Sequence, residues 1–182
     1  MGEFNGFREA PWLPKAAINI LDAIIEPGFR IVETGSGSST FWFAQRAFYI
    51  HSFEHKSSWA VAVNNEAEVR GLKNIGVHLD TLYPGNGFLE NEILKKSVDE
   101  IGLFDLALVD GRGRAKSLET LFKWIKPGGW IALDNADRER YRRGREFLDE
   151  RTKASFDIRD KIYPEMKNGF TTFWRLRDEN GF

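Results

Sequence analysis

The sequence predicts an α/β fold: a doubly wound sheet of about seven strands, mostly parallel, with helices on both faces and an antiparallel hairpin at the C-terminal end. Three observations carry this. Short apolar, β-branched runs alternate five times with segments of helical periodicity, and parallel neighbours need helical crossovers. Several of these runs end in an acid followed by small or polar residues, as in "RIVETGSGSST" and "FDLALVDG". Two late β-type runs, "SFDIRDKIY" and "GFTTFWRL", have a turn at Lys167-Asn168-Gly169 between them.

The elements follow in order. In "LPKAAINILDAIIEPG", Ala17, Ile20, Leu21, Ile24 and Ile25 recur at helical spacing, and Pro27-Gly28 stops the helix. "RIVET" reads as a buried strand, the Gly-Ser loop follows, and a helix runs through "STFWFAQRA". "FYIHSFE" is the second strand, followed by a helix over about residues 57–72 with Trp59, Ala62 and Val63 inward. "IGVHLD" is the third strand, and the loop "TLYPGNG" leads to a helix bearing Leu89, Ile93, Leu94 and Val98. After "FDLALVDG", a helix sets Ala115, Leu118, Leu121, Phe122 and Ile125 on one face until "KPGG" breaks it. "WIALDNAD" is the fifth strand, an arginine-rich helix follows, and the closing hairpin turns at Lys167-Asn168-Gly169. Residues 1–182 read as one domain.

Composition narrows the function. Of 182 residues, 42% are hydrophobic and 29% charged, which suits a core-forming globular chain. No run of about eighteen apolar residues could span a membrane. The absence of cysteine excludes disulfides, thiolate metal sites and cysteine nucleophiles. The start "MGEFNGFREAPWLPK" has no basic leader with an apolar run behind it, so the expected location is the cytoplasm. Its aromatic residues are expected to pack against the first helix rather than act as a lid. His51, His55 and His78 lack zinc-ligand spacing.

In a doubly wound sheet the ligand lies beyond the carboxyl ends of the strands, at the switch point. Gly35 and Gly37 allow a tight turn there, and the amides of Ser38, Ser39 and Thr40 would open the next helix toward a ligand. Glu54 ends the second strand, about 20 residues past Glu33, at the distance of an acid that accepts ribose hydroxyls. Glu33 would repel a pyrophosphate but suits a ligand carrying an ammonium and a sulfonium. Asp80, at the third strand tip, is placed to accept from an adenine amino group. His55, beside Glu54, would touch the adenosine or is a plain strand-end histidine.

"VETGSGSST", "SFEH", "FDLALVDG" and "IKPGGWIALDN" together resemble the signature segments of class I S-adenosylmethionine-dependent methyltransferases, in order from about Arg30 to Asn135. The terminal hairpin resembles the antiparallel pair closing that family's sheet. The resemblance implies a Rossmann-like fold, methyl transfer and S-adenosylmethionine held by Glu33, Gly35, Ser36, Gly37, Glu54 and Asp80. It puts Asp110 and Gly111 at the pocket edge. Ser39 stands at the third position of the family's glycine pattern, a departure.

Asp110 would position or deprotonate the acceptor, or else cap the next helix. Asp110, Asp134 and Asn135 also match the segments that hold magnesium in catechol-type O-methyltransferases, and oxygen ligands of this kind suit that ion. Where those enzymes carry a lysine three residues past the first aspartate, this chain has Gly113. The expectation is therefore no resident metal, with magnesium at these three residues as the alternative. Arg112 and Arg114, with Arg138, are expected to bind a small acceptor bearing phosphate or carboxylate. The other arginines of "DNADRERYRRGRE" read as a solvated helix paired with Glu139, Glu146, Asp149 and Glu150. A net charge of −1 and the lack of an Asn-Pro-Pro-Tyr run argue against a nucleic-acid substrate. Two other readings stand beside methyl transfer: a non-catalytic adenosyl-binding module, and an NAD(P)-dependent oxidoreductase. The sequence does not set the acceptor or the oligomeric state.

Overall fold

Seven strands form one sheet in the order β3-β2-β1-β4-β5-β7-β6. The structure, a computed structural model, describes residues 6–80, 92–163 and 167–178. Its elements are α1 (Lys15–Ile24), β1 (Arg30–Thr34), α2 (Ser38–Ala44), β2 (Tyr49–Glu54), α3 (Ser57–Val69), β3 (Ile75–Leu79) and α4 (Glu92–Ile101). There follow β4 (Phe104–Val109), α5 (Arg114–Leu121), β5 (Ile125–Asp134), α6 (Arg142–Asp149), β6 (Thr152–Lys161) and β7 (Asn168–Leu176). Single 3-10 turns, Phe122–Trp124 and Glu139–Tyr141, precede β5 and α6. Strands β1 to β5 pair in parallel, whereas β7 runs antiparallel between β5 and β6. The sheet is thus mixed and mostly parallel, as expected. The chain winds outward from β1 to β3, then returns to place β4 on β1's other side, which creates the switch point.

Each face has its own core. Ala17 and Leu21 of α1 join Trp42 and Phe43 of α2 over Ile31, Ile50, Leu108 and Phe173. Val63 and Ala67 of α3 pack with Phe41 on the same side. Leu118 and Leu121 of α5 and Leu148 of α6 cover Val32, Phe53, Val109 and Trp174 on the other. The strands at the centre are buried on both faces, so they read as continuous apolar runs. Strand β6 is different. It is an edge, most of its residues are exposed, and a register shift interrupts its pairing between Thr152 and Ala154. Among the described residues no helix is long and apolar enough to cross a membrane.

Several sequence expectations are displaced. Ile125 is not on a helix face: α5 stops at Leu121, and Ile125 opens β5 opposite Phe104. The "KPGG" segment then lies within that strand, at the register shift between Phe104 and Leu106, where a proline without an N–H can be tolerated. In α3 the buried positions are Ala60, Val63 and Ala67 rather than Ala62. Asn168 and Gly169 belong to β7, paired with Lys161 and Asp160, rather than to the turn. Leu89 and the "TLYPGNG" loop lie outside the described residues. At the start of the chain, Ala10 and Leu13 join the α1 core, but the aromatic residues depart from expectation: Phe7 packs edge-on against Phe41 of α2 and Trp59 of α3, and Trp12 is exposed.

Trp174 is the largest fully buried side chain, and its indole N–H donates to Asp149 Oδ1 at 2.6 Å, tying β7 to the end of α6. Trp174→Ala should cost about 4 kcal/mol, which lowers Tm by about 8–16 °C in a chain of this size. Val69→Ala, at a residue 82% exposed, should move stability by less than about 0.5 kcal/mol. Thermal unfolding of the two variants checks both.

Candidate functional site

The carboxyl ends of β1, β2, β4 and β5 meet at the switch point, and the loops that leave them form the site. The loops after β1 and β4 touch backbone to backbone. A Cβ on Gly35, at φ +89°, would lie 2.8 Å from the Gly111 nitrogen, and one on Gly111 would lie 2.9 Å from the Gly35 nitrogen. No other residue fits either position without moving a strand end. Hydrogen bonds lace the contact: Asp110 N donates to Thr34 O, Gly111 N to Thr34 Oγ1 and Gly35 N to Phe53 O. Beside it opens a cleft of about 1080 Å³. Gly35, Ser36, Glu54 and His55 form one wall. Asp110, Arg112, Lys116, Glu119, Arg140, Tyr141 and Arg143 belong to the other.

Glu33 departs from its expected role. It is fully buried, does not line the cleft, and accepts hydrogen bonds from Ser39 Oγ (2.7 Å), Ser52 Oγ (2.8 Å) and Thr40 Oγ1. Strand parity explains this. Glu33 alternates with Ile31 on the α1/α2 face and sits opposite Ser52 in register. Burial raises its carboxyl to about 7, against the pull of the three hydroxyls. The hydroxyl-rich loop is likewise turned inward. Ser39 and Thr40 are buried on Glu33, Thr40 Oγ1 accepts from Gly37 N, and Ser38 Oγ accepts from Arg8 N. Of the residues 35–40, only Gly35 and Ser36 line the cleft. Ser36 Oγ shares a 2.6 Å hydrogen bond with Ser52, and Trp59 Nε1 donates to Ser36 O at 2.6 Å. The expected cradle is a brace that shapes the bend from behind.

Glu54 does reach the cleft. One carboxylate oxygen accepts from Lys56 N at 2.8 Å and lies 2.7 Å from His55 Nδ1. Asp80 follows β3 beside it, its N–H donating to Glu54 O at 2.8 Å, and is buried outside the cleft lining.

At the other wall, Arg114 also departs from expectation. It is 7% exposed and folds back from the first residue of α5 over the ends of β4 and β5. Nη2 donates to Asp110 Oδ1 and Asp110 O, both at 2.6 Å, and Nε donates to Gly111 O at 2.9 Å. Nη1 donates to Asp134 O and lies 3.4 Å from Asp134 Oδ2 and 3.5 Å from Asn135 Oδ1. Asn135 stands at φ 51°, a left-handed conformation asparagine tolerates. The guanidinium is committed to the protein and has no fork left for an acceptor. Enclosure raises Asp110, Asp134's neighbouring charge adds to it, and Arg114 opposes both. Burial likewise raises Asp134. The three candidate magnesium ligands are engaged with this cation, and among the described residues no group of three or more His, Cys, Asp or Glu could hold a metal. The residues do not fit magnesium.

Arg112 lines the cleft as expected, but Arg138 lies in a separate surface depression with Asp137 and Glu139. Arg140 and Arg143 take its place. Lys116 and Arg143 share Glu119, at 3.1 and 3.4 Å. Arg140 stacks 4.8 Å over the Tyr141 ring and pairs with no carboxylate among the described residues. The paired-helix reading holds for Arg142, which bridges Glu139 and Glu146. Sequence reasoning missed Tyr141 and Glu119, and it treated Trp59 as core packing. A half-buried indole needs a partner for its N–H, which is the signal that could have drawn Trp59 to the loop.

The Glu33 environment has a pH consequence. Its folded carboxyl titrates near 7 against an ordinary 4.5, so the native chain binds the proton more tightly across that window. Its contribution to stability is greatest below the unfolded value and falls as pH rises through the folded one, by about 3 kcal/mol in total. Relative to Glu33→Gln, wild-type Tm should drop by about 6–12 °C between pH 5 and pH 8. A constant Tm difference between the two proteins across that range overturns the assignment.

No protein-family model matches the chain, and no curated protein matches it. Solved structures do. An rRNA methylase from Streptococcus thermophilus is 14% identical with a TM-score of 0.62, over 88% of this chain and 93% of its own. A precorrin-6y C5,15-methyltransferase from Geobacter metallireducens is 12% identical with a TM-score of 0.64, over 96% and 95%. A putative methyltransferase from Streptococcus mutans, in complex with S-adenosylhomocysteine, is 10% identical with a TM-score of 0.61, over 89% and 97%. The chain has the Rossmann-like fold of the S-adenosylmethionine-dependent methyltransferases.

Proposed function

We propose that the chain is an S-adenosylmethionine-dependent methyltransferase acting on a small acceptor that carries phosphate or carboxylate. The cleft at the β1/β4 switch point carries the reading, because it opposes an acidic wall at Glu54 to a cationic rim at Arg112, Lys116, Arg140 and Arg143. The fold shared with methyltransferases adds to it.

The residues fit the donor. Glu54 is positioned to accept ribose hydroxyls, with Asp80 and His55 beside it. Its charge favours a cationic ligand. S-adenosylmethionine supplies a methyl group already activated on a positively charged sulfur. The chain then has to align the acceptor, exclude water and take a proton where the acceptor carries one.

Asp110 is the group for the proton. Arg114 holds its Oδ1, while the side chain keeps 31% of its surface exposed at the cleft. The anionic end of the acceptor belongs on Arg140, whose guanidinium no carboxylate among the described residues neutralises. Arg112 stands on the same rim. A non-catalytic adenosyl-binding module is the second reading, favoured by the ion pair that ties up one Asp110 oxygen. The solved neighbours include an rRNA methylase and a precorrin-6y C5,15-methyltransferase, so the acceptor class rests on the arginines.

Thermal unfolding with S-adenosylmethionine, S-adenosylhomocysteine, NAD and NADP side by side tests the donor. At about 100 times Kd the adenosyl compounds should raise Tm by about 5–10 °C, and the dinucleotides should not. Glu54→Ala should remove the shift. Methyl release over a panel of phosphorylated and carboxylated acceptors separates enzyme from binding module. With an acceptor in hand, Arg140→Ala should raise KM about 10–100-fold and leave kcat nearly unchanged, as expected for loss of a charged hydrogen bond that serves binding alone.

A further inference from the structure

The ends of β4 and β5 bring together an oxygen set of the kind that holds a divalent cation: two carboxylates and one side-chain amide, on Asp110, Asp134 and Asn135. Hard cations such as magnesium or manganese take oxygens of this type at about 2.0–2.6 Å. Here the space is filled from within the chain. The Arg114 guanidinium lies 2.6 Å from Asp110 Oδ1, 3.4 Å from Asp134 Oδ2 and 3.5 Å from Asn135 Oδ1. Its remaining donors go to the backbone carbonyls of Asp110, Gly111 and Asp134. Tyr141 closes the outer side, its ring centroid 5.5 Å from the guanidinium carbon. No ion can enter between these oxygens while the guanidinium stays.

We propose that Arg114 is a built-in cation: it occupies the seat a divalent metal would take between Asp110, Asp134 and Asn135, and it makes the site metal-independent. Arg114 is a positioning residue, acting through Asp110 rather than on the acceptor. Gly113 enables the arrangement. In the left-handed region (φ 62°, ψ 28°) immediately before α5, it turns the chain so that Arg114 begins the helix and folds back over Asp110, four residues earlier. A guanidinium also neutralises less charge than a divalent ion. That this seat serves methyl transfer rests on the function proposed above; that it excludes a metal does not.

Manganese binding, measured by the loss of the free Mn(II) paramagnetic signal, tests the proposal without donor, acceptor or turnover. The wild-type chain should take up no Mn(II) at millimolar concentration, and its Tm should be the same with MnCl2 or EDTA. Arg114→Ser opens the seat and should bind one Mn(II) per chain, with a rise in Tm on adding the ion. The double variant Arg114→Ser, Asp134→Asn should lose it again. Stoichiometric Mn(II) uptake by wild type that Asp134→Asn abolishes would overturn the proposal. So would a folded Arg114→Ser variant that takes up none. Should Arg114→Ser fail to fold, the wild-type titration against Asp134→Asn still decides. Failure of the methyltransferase reading would show instead as absent adenosyl stabilisation, a separate measurement.

Discussion

The contact between the Gly35 and Gly111 backbones sets the rest of the site. Parallel pairing brings β1 and β4 side by side, but the loops beyond them can cross closely only where neither residue has a Cβ. The bend through Ser36 and the turn through Asp110 both start from that contact. The cleft opens beside that point. Each wall then carries its own charge character, because one loop leads to β2 and its terminal acid while the other leads to a cation-rich helix start.

Behind each wall stands a buried charged group facing inward. Glu33 gathers three hydroxyls and through them fixes Ser36 and Gly37. Arg114 gathers three carbonyls, two carboxylates and an amide, and through them fixes the tips of β4 and β5. Both groups are costly to bury alone, and both are repaid in hydrogen bonds from all sides. Arg114 also holds Asp110 at the cleft, whereas the buried Glu54 is held separately, by Lys56 N and His55 Nδ1.

The architecture was largely legible in the sequence, because buried parallel strands must be apolar and their tips must carry the polar residues. Alternation alone gave five parallel strands and the closing antiparallel pair. Less legible was which way each polar residue faces. Glu33 follows Ile31 by two, and that parity already places it on the helix-covered face; reading it as a tip residue overlooked the alternation. Ser39 and Thr40 looked like ligand donors because a helix start can serve a ligand or a buried acid equally well. Arg114 stands four residues from Asp110, the spacing of an intrahelical ion pair, yet its inward fold depends on Gly113 adopting a left-handed turn, which no periodicity reveals. Ile125 was assigned to a helix because its apolar neighbours fit both periods until β4 supplied a partner.

The two ends of the sheet meet solvent on unequal terms. At one border stands β3, five residues long; at the other, β6 presents ten residues, mostly exposed. Such a border invites another polypeptide to add on. Here it carries Lys153, Asp157, Arg159, Asp160 and Lys161 along its length and a break in pairing near its start. A visiting strand would have to match an irregular sequence of opposite charges and straddle the break, so the hairpin discourages accretion while leaving the core untouched.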